Sequence, residues 1–309
     1  VRKGVYDIVI GVGGGSDMDT AKATAMIATN AGKIDEYVGE GLVKKPPLPL
    51  IQIPTTSGTG SEITPCSVVT IGEFKNFICD RQMISNVAIV DPILAATMPP
   101  RLTANTGIDA LAHAVEGVLA LSSNPISEAL AFEAIRLVAK NLRMAYHQGG
   151  NLQARYNMAL AATLAGAPGV CILGHSIGQT FSSKYQVPHG LSIGIPLPYV
   201  MEYCLPAAQE KLAAIAQAMG EDISGLGIEE AAVKSVRAVI KLMRDVEMPI
   251  SLREINFPRE ALEKLVDDVV TGRSGQARNL TVTPSIVTRD RLMKMAEKMW
   301  EGKIGELGY

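Results

Sequence analysis

No window of about eighteen apolar residues free of charge occurs in this chain, so no span of a lipid bilayer is predicted. A basic patch is missing too: 29 Lys and Arg stand against 31 Asp and Glu, a formal charge of −2. That leaves no electrostatic footprint for a nucleic-acid backbone. Cysteine is sparse and unpatterned. Cys66, Cys79, Cys171 and Cys204 show no CxxC spacing, which excludes a thiolate cluster and gives no sign of a disulfide framework. They are expected to be reduced, mostly buried small hydrophobes of a cytoplasmic protein. No charged stretch followed by an apolar one opens the sequence, so no secretory leader is expected, while Val1 in place of Met points to a fragment. Linkers, repeats and low-complexity tracts are absent as well. What remains is a globular composition, 47% hydrophobic and 19% charged, in 309 residues, long enough for two domains.

The segment YDIVIGVGGG, residues 6–15, is a β-branched apolar run ending in glycines and predicts a buried strand entering a tight turn. A helix is expected next, N-capped by Ser16, with Asp17 and Asp19 in its first turn and Asn30 and Gly32 stopping it. Residues 48–53, 66–71 and 86–90 read as further strands, giving an α/β layer with largely parallel pairing. At Met98-Pro99-Pro100 the character changes, and the remaining two-thirds carry helical spacing rich in Ala, Leu and Met. The expected architecture is an α/β dinucleotide-binding domain over 1–98, then an all-helical metal and substrate domain over 99–309.

Histidine is scarce, and two of the four lie in GHSIGQTFSSKYQVPHG, residues 174–190. GHSIG matches the G-x-S-x-G nucleophile elbow, with VCIL before it as the strand such an elbow needs. That fold orders its triad Ser, acid, His, yet the sole histidine after Ser176 is His189 and no Asp or Glu lies between them. A hydrolase is therefore disfavoured. In TGIDALAHAVEG, residues 106–117, Asp109 and His113 are four apart among helix formers, which is metal-ligand spacing and equally the spacing of a surface ion pair. His175 and His189 favour the metal. Continuous helix would hold them roughly 21 Å apart, so the chain should turn between them, with Gly178 and Pro188 available. One carboxylate and three imidazoles suit zinc, iron or a similar first-row ion. His147, in YHQGG, is left as a solvated residue. The turn GVGGGSDMDTAK, residues 11–22, joins bare backbone to a helix N-terminus and suits a pyrophosphate. It lacks the P-loop Lys and carries Ser16 where the Rossmann fingerprint has its last glycine. PTTSGTGSE, residues 54–62, adds hydroxyls at a second strand end.

GGGSDMDTAK, PTTSGTGSE, VDP, TGIDALAHAVEG and GHSIG…VPHG, in this order, resemble the iron-containing (group III) alcohol dehydrogenases. The resemblance implies NAD or NADP and a divalent metal, iron first and zinc second, in a cleft between the two domains. It assigns Asp109, His113, His175 and His189 as metal ligands. It places Gly14, Gly15 and Ser16 at the pyrophosphate, and Thr55, Thr56, Thr59, Thr64 and Lys75 along the cofactor. Two departures stand out. Relatives often carry a histidine where this chain has Gln179, which cannot titrate. They also begin with additional βα units that build the adenosine half of the site. Asp35 and Glu36, near the spacing of a Rossmann acid, are read as surface.

The expected reaction is reversible oxidation of a small alcohol to an aldehyde or ketone, with the ion as Lewis acid and the nicotinamide as hydride acceptor. A truncated paralogue that keeps the metal but catalyses poorly is one alternative, and a related polyol or glycerol-phosphate dehydrogenase another. The expected partners are a small alcohol or aldehyde and a second copy of the chain, most simply in a dimer, with neither nucleic acid nor membrane.

Overall fold

The computed structural model describes residues 1, 4–72, 74–272 and 277–304. Three strands form a parallel sheet: β1 (Val9–Gly13), β3 (Leu50–Pro54) and β6 (Val87–Ala88), in the order β1-β3-β6. A second sheet has the order β2-β5-β4, from β2 (Gly39–Glu40), β4 (Cys66–Ile71) and β5 (Phe74–Cys79). In it β2 runs parallel to β5 but β4 pairs antiparallel with β5, so the expectation of largely parallel pairing holds for the first sheet alone. That antiparallel register sets Cys66 opposite Cys79, and the two are joined as a disulfide. Both were expected to be reduced. Thirteen residues separate them, and only the hairpin brings them together.

In the first sheet Gly13 pairs with Pro54, so the glycine turn and the threonine turn leave neighbouring parallel strands at the same, carboxyl end. This is where an α/β sheet opens a ligand crevice. Helix α1 (Gly15–Thr29) follows β1, and Asn30 ends it as expected. Its N-cap is Gly14 rather than Ser16, because the Asp17 carboxylate folds back to accept the Gly14 N–H. The opposite sheet face carries Ile10, Val12 and Val87 in exposed positions.

Beyond β6 the described residues contain helices and no strand: α2 (Pro92–Ala95), α3 (Pro100–Leu119), α4 (Pro125–His147), α5 (Leu152–Gly166) and α6 (Leu173–Lys184). The chain goes on through α7 (His189–Gly194), α8 (Leu197–Cys204), α9 (Gln209–Ala218) and α10 (Ile228–Asp245). It ends with α11 (Leu262–Val270), α12 (Ala277–Thr281) and α13 (Arg289–Glu301). No helix among the described residues is long and apolar enough to cross a membrane. Helix α3 is buried on nearly every face, as a small, alanine-rich helix in the centre of a bundle must be. At its start the buried Arg155 donates to the carbonyls of Met98 and Gly149 and to the Thr103 hydroxyl, pinning the Met98-Pro99 junction.

Two ties bring the strand ends against the helices. The Lys75 ammonium donates to Ser182 Oγ at 2.7 Å and the Lys75 amide to Ser183 Oγ at 3.1 Å, so β5 leans on α6. The threonine turn packs on α5: Gly60 has φ +60°, and a Cβ there would lie 2.6 Å from the Ala162 carbonyl oxygen. Glycine is required on both counts.

Candidate active site

Asp109, His113 and Glu116 occupy positions i, i+4 and i+7 of α3 and therefore share one stripe of a helix whose surroundings are apolar. His175 sits in the first turn of α6, and His189 opens α7. The reversal between the two histidines falls at residues 185–188, where Gln186 takes a left-handed φ of 53°. Gly178 does not turn the chain. It lies inside α6, where a Cβ would come within 2.2 Å of Ile193 Cδ1 and 2.8 Å of the Ser192 carbonyl, so its role is close packing of α7. Ser176 is buried within the same helix, and residues 170–172 are irregular, so neither the elbow nor its strand exists.

The side chains converge. Asp109 Oδ1 is buried without a hydrogen-bond partner, 4.0 Å from His175 Nε2 and 3.7 Å from His189 Nε2. His113 Nε2 lies 3.1 Å from His175 Nε2. On the outward side His113 Nδ1 hydrogen-bonds to the Asp109 carbonyl at 2.9 Å, which fixes its tautomer and turns its Nε2 lone pair inward, while His175 Nδ1 stands 3.0 Å from Glu116 Oε2 as an ion-pair contact. An unpaired buried carboxylate oxygen is costly, and a cation is what this donor set fits.

Charge follows the same geometry. Burial pushes His189 down to about 4, with Lys75 and the other two imidazoles adding to that and Asp109 opposing it. It is therefore neutral near pH 7, as a ligand must be. Burial would lower His175 as well, but Cys171 and Glu116 beside it outweigh burial and hold it well above its ordinary value. Lys75 is lowered by burial, with Asp109 and Asp19 resisting. Gln179, one turn after His175, is buried and its Oε1 has no partner.

At the strand ends Gly13 has φ +150°, and a Cβ there would lie 2.2 Å from Asp17 Oδ2. With Gly14 N–H taken by Asp17, the Gly15 and Ser16 amides are left at the positive end of α1. Thr55 is held by its amide to the Gly13 carbonyl, Thr56 lies over Gly14, and Thr59 lies over Gly15, where a Cβ would come within 2.8 Å of Thr59 Cγ2. Thr64 is placed differently. Its hydroxyl and carbonyl both accept from Lys22, which is 1% exposed and also donates to Ser61 Oγ and the Cys66 carbonyl. Ser61 in turn donates to Asp19, which also accepts the Val68 amide. Burial brings Lys22 down to about 8 and raises Asp19, each opposed by the other's charge. Lys75 lies beside the Asp109 cluster as well as the hairpin. His147 ends α4 in an exposed position, and Asp35 and Glu36 are exposed in a short 3-10 turn.

Glu116 and Cys171 escaped the sequence reading. Glu116 was legible as the next step of the Asp109 and His113 stripe. Cys171 precedes His175 by four residues, the same interval as Asp109 to His113, although it lies in the loop before α6. Its thiol is free, and its sulfur and a ring nitrogen each of His113 and His175 lie within 4.8 Å of one another. Burial would raise it, but those imidazoles bring it to about 7.

Comparison with known proteins bears on the whole chain. The model of the iron-containing alcohol dehydrogenase matches residues 1–92, and that of the Fe-containing alcohol dehydrogenase family, C-terminal, matches 103–300. Long-chain-alcohol dehydrogenase 1 of Geobacillus thermodenitrificans is 38% identical over 99% of this chain and 78% of its own length. The 1,3-propanediol dehydrogenase of Klebsiella pneumoniae is 41% identical over 86% of this chain and 71% of its own length. Among solved structures, an alcohol dehydrogenase from Oenococcus oeni superposes with a TM-score of 0.92 at 34% identity, covering 97% of this chain and 78% of that one.

Proposed function

This chain belongs to the iron-containing alcohol dehydrogenase family, and from that premise we propose that Asp109, His113, His175 and His189 hold the divalent metal of an NAD(P)-linked enzyme. It is an oxidoreductase that interconverts an alcohol with its aldehyde or ketone. The observation that carries the metal assignment is the partnerless, buried Asp109 Oδ1 facing the Nε2 atoms of His175 and His189. Iron is the ion of the family, and the same donor types also accept zinc.

The chemistry such an ion supplies is Lewis-acid polarisation of the substrate oxygen, and that of the nicotinamide is uptake of the hydride. The protein's own residues do the rest. Gly15 and Ser16 offer backbone N–H groups and the positive end of α1 to a pyrophosphate, Gly14 leaves room for its approach, and Thr55, Thr56 and Thr59 border it. Lys75 puts positive charge between that crevice and the Asp109 cluster, while Thr64 acts one step back by holding Lys22. Gln179 can orient a substrate oxygen by hydrogen bonding but cannot titrate, so any proton relay would have to use a group other than this side chain. On this reading residues 1–98 bind the dinucleotide and 99–309 the metal and substrate. The substrate is a small alcohol, in keeping with the 1,3-propanediol in one relative's name. A cytoplasmic location belongs to the same reading, on the family assignment alone.

The test is activity on an alcohol and aldehyde panel with NAD and with NADP, before and after chelation. Activity lost on chelation and restored by iron(II) or zinc supports the assignment. Undiminished activity in fully chelated protein overturns it.

A further inference from the structure

We propose that Cys171 is an additional metal donor in this chain, joining His113 and His175 in a nitrogen and sulfur corner that favours zinc over harder ions. The inference rests on the metal assignment above and extends it to a residue outside the four-ligand set.

The donor atoms do not fall into one group. Asp109, His175 and His189 bring one ligand atom each to within 4.8 Å of one another, and so do His113, Cys171 and His175. The carboxylate and thiolate thus sit on opposite flanks of His175, and His113 belongs with the thiolate. Zinc can expand to five ligands, and at its ordinary bond lengths a sulfur and a nitrogen ligand stand about 3.5 Å apart, so a closure of this triad adds the sulfur to the set. His175 belongs to both groups, so the two corners share a ligand and are taken to serve one ion.

No other cysteine competes for this place among the described residues. Cys66 and Cys79 are joined to each other, and Cys204 is fully buried in α8 away from these donors. Cys171 is half-buried, at the entry to α6, and both of its partners are imidazoles of the candidate centre. On binding, the thiol proton passes to solvent and the thiolate donates its electron pair to the ion, with no change of oxidation state. Magnesium and calcium gain nothing from a thiolate, whereas zinc and cobalt(II) do.

Cobalt(II) makes the test spectroscopic. Full-length protein freed of metal and loaded with cobalt(II) is expected to show the intense near-ultraviolet band of sulfur-to-cobalt charge transfer. Cys171→Ser should lose that band while still binding cobalt, and its zinc affinity should fall roughly tenfold or more. Wild-type protein that binds cobalt without the band overturns the proposal and leaves the four-ligand assignment standing. Protein that binds no cobalt overturns both. If Cys171→Ser does not fold, alkylation of the native protein decides. Zinc should shield Cys171 from iodoacetamide and a chelator should expose it, and equal labelling of the loaded and chelated protein refutes the role.

Discussion

Replacing Glu116 by Gln removes one charge from the interior and leaves the shape almost unchanged, so its effect isolates what the carboxylate does for His175. Glu116 is 1% exposed. Its Oε2 accepts the Ile172 amide and stands 3.0 Å from His175 Nδ1, while Oε1 is pressed against Gly174. A glutamine side chain keeps one acceptor oxygen, which can serve Ile172 or His175, and its amide then faces the other donor. The loss is one charge-assisted hydrogen bond in a buried site, about 2 kcal/mol. Converted to binding, that is roughly thirtyfold in metal affinity, inside the range found for outer-shell partners of metal ligands. Competition with a chromophoric chelator measures it, with circular dichroism as the control for folding. Unchanged affinity in a folded Glu116→Gln protein would refute the view that Glu116 orients His175.

Gly174→Ala should reproduce that defect by steric means, since a Cβ there would stand 2.3 Å from Glu116 Oε1. Combining it with Glu116→Gln should then add little further loss in the same chelator titration. Lys22→Met should destabilise the fold by about 3 kcal/mol in urea unfolding, because Asp19 loses its cation inside the turn network. Adding Asp19→Asn should recover part of that loss, and no recovery would contradict the pairing. Metal affinity should rise with pH. His175, held well above its ordinary value by Cys171 and Glu116, keeps its proton to higher pH in the metal-free protein, so an ion must displace that proton and the competition eases as pH climbs. Calorimetry in buffers of different ionisation enthalpy should show proton release, and identical heats would contradict it.

Much of the frame was legible because it depends on local pattern. The β-branched run before the glycines, the helix formers after them and the carboxylate-to-histidine interval on α3 are all read within one or two turns of chain. What escaped depends on contacts across the fold. Asp17 folding onto Gly14 moves the start of α1 ahead of Ser16, a choice between two good caps that spacing cannot make. The Cys66–Cys79 bond needs the antiparallel pairing of β4 and β5, and the sequence FKNFIC gives β5 no clear alternation. Gly178 reads as a turn residue and Gly174 as part of the G-x-S-x-G pattern, yet each makes room for a neighbour from another segment. Cys171 looked inert because one of its two neighbours is distant in sequence: His175 is four residues on, but His113 comes from α3, and only the fold brings it to the other two.

The most direct measurement is elemental analysis of wild-type and His189→Ala protein after anaerobic reconstitution with iron(II), beside alcohol-dependent reduction of NAD and NADP. His189 supplies one of the two imidazole nitrogens that face the partnerless Asp109 Oδ1, so His189→Ala should lose iron and activity together, while the wild type holds both. Iron retained by His189→Ala at the wild-type level would contradict the metal centre described for this chain.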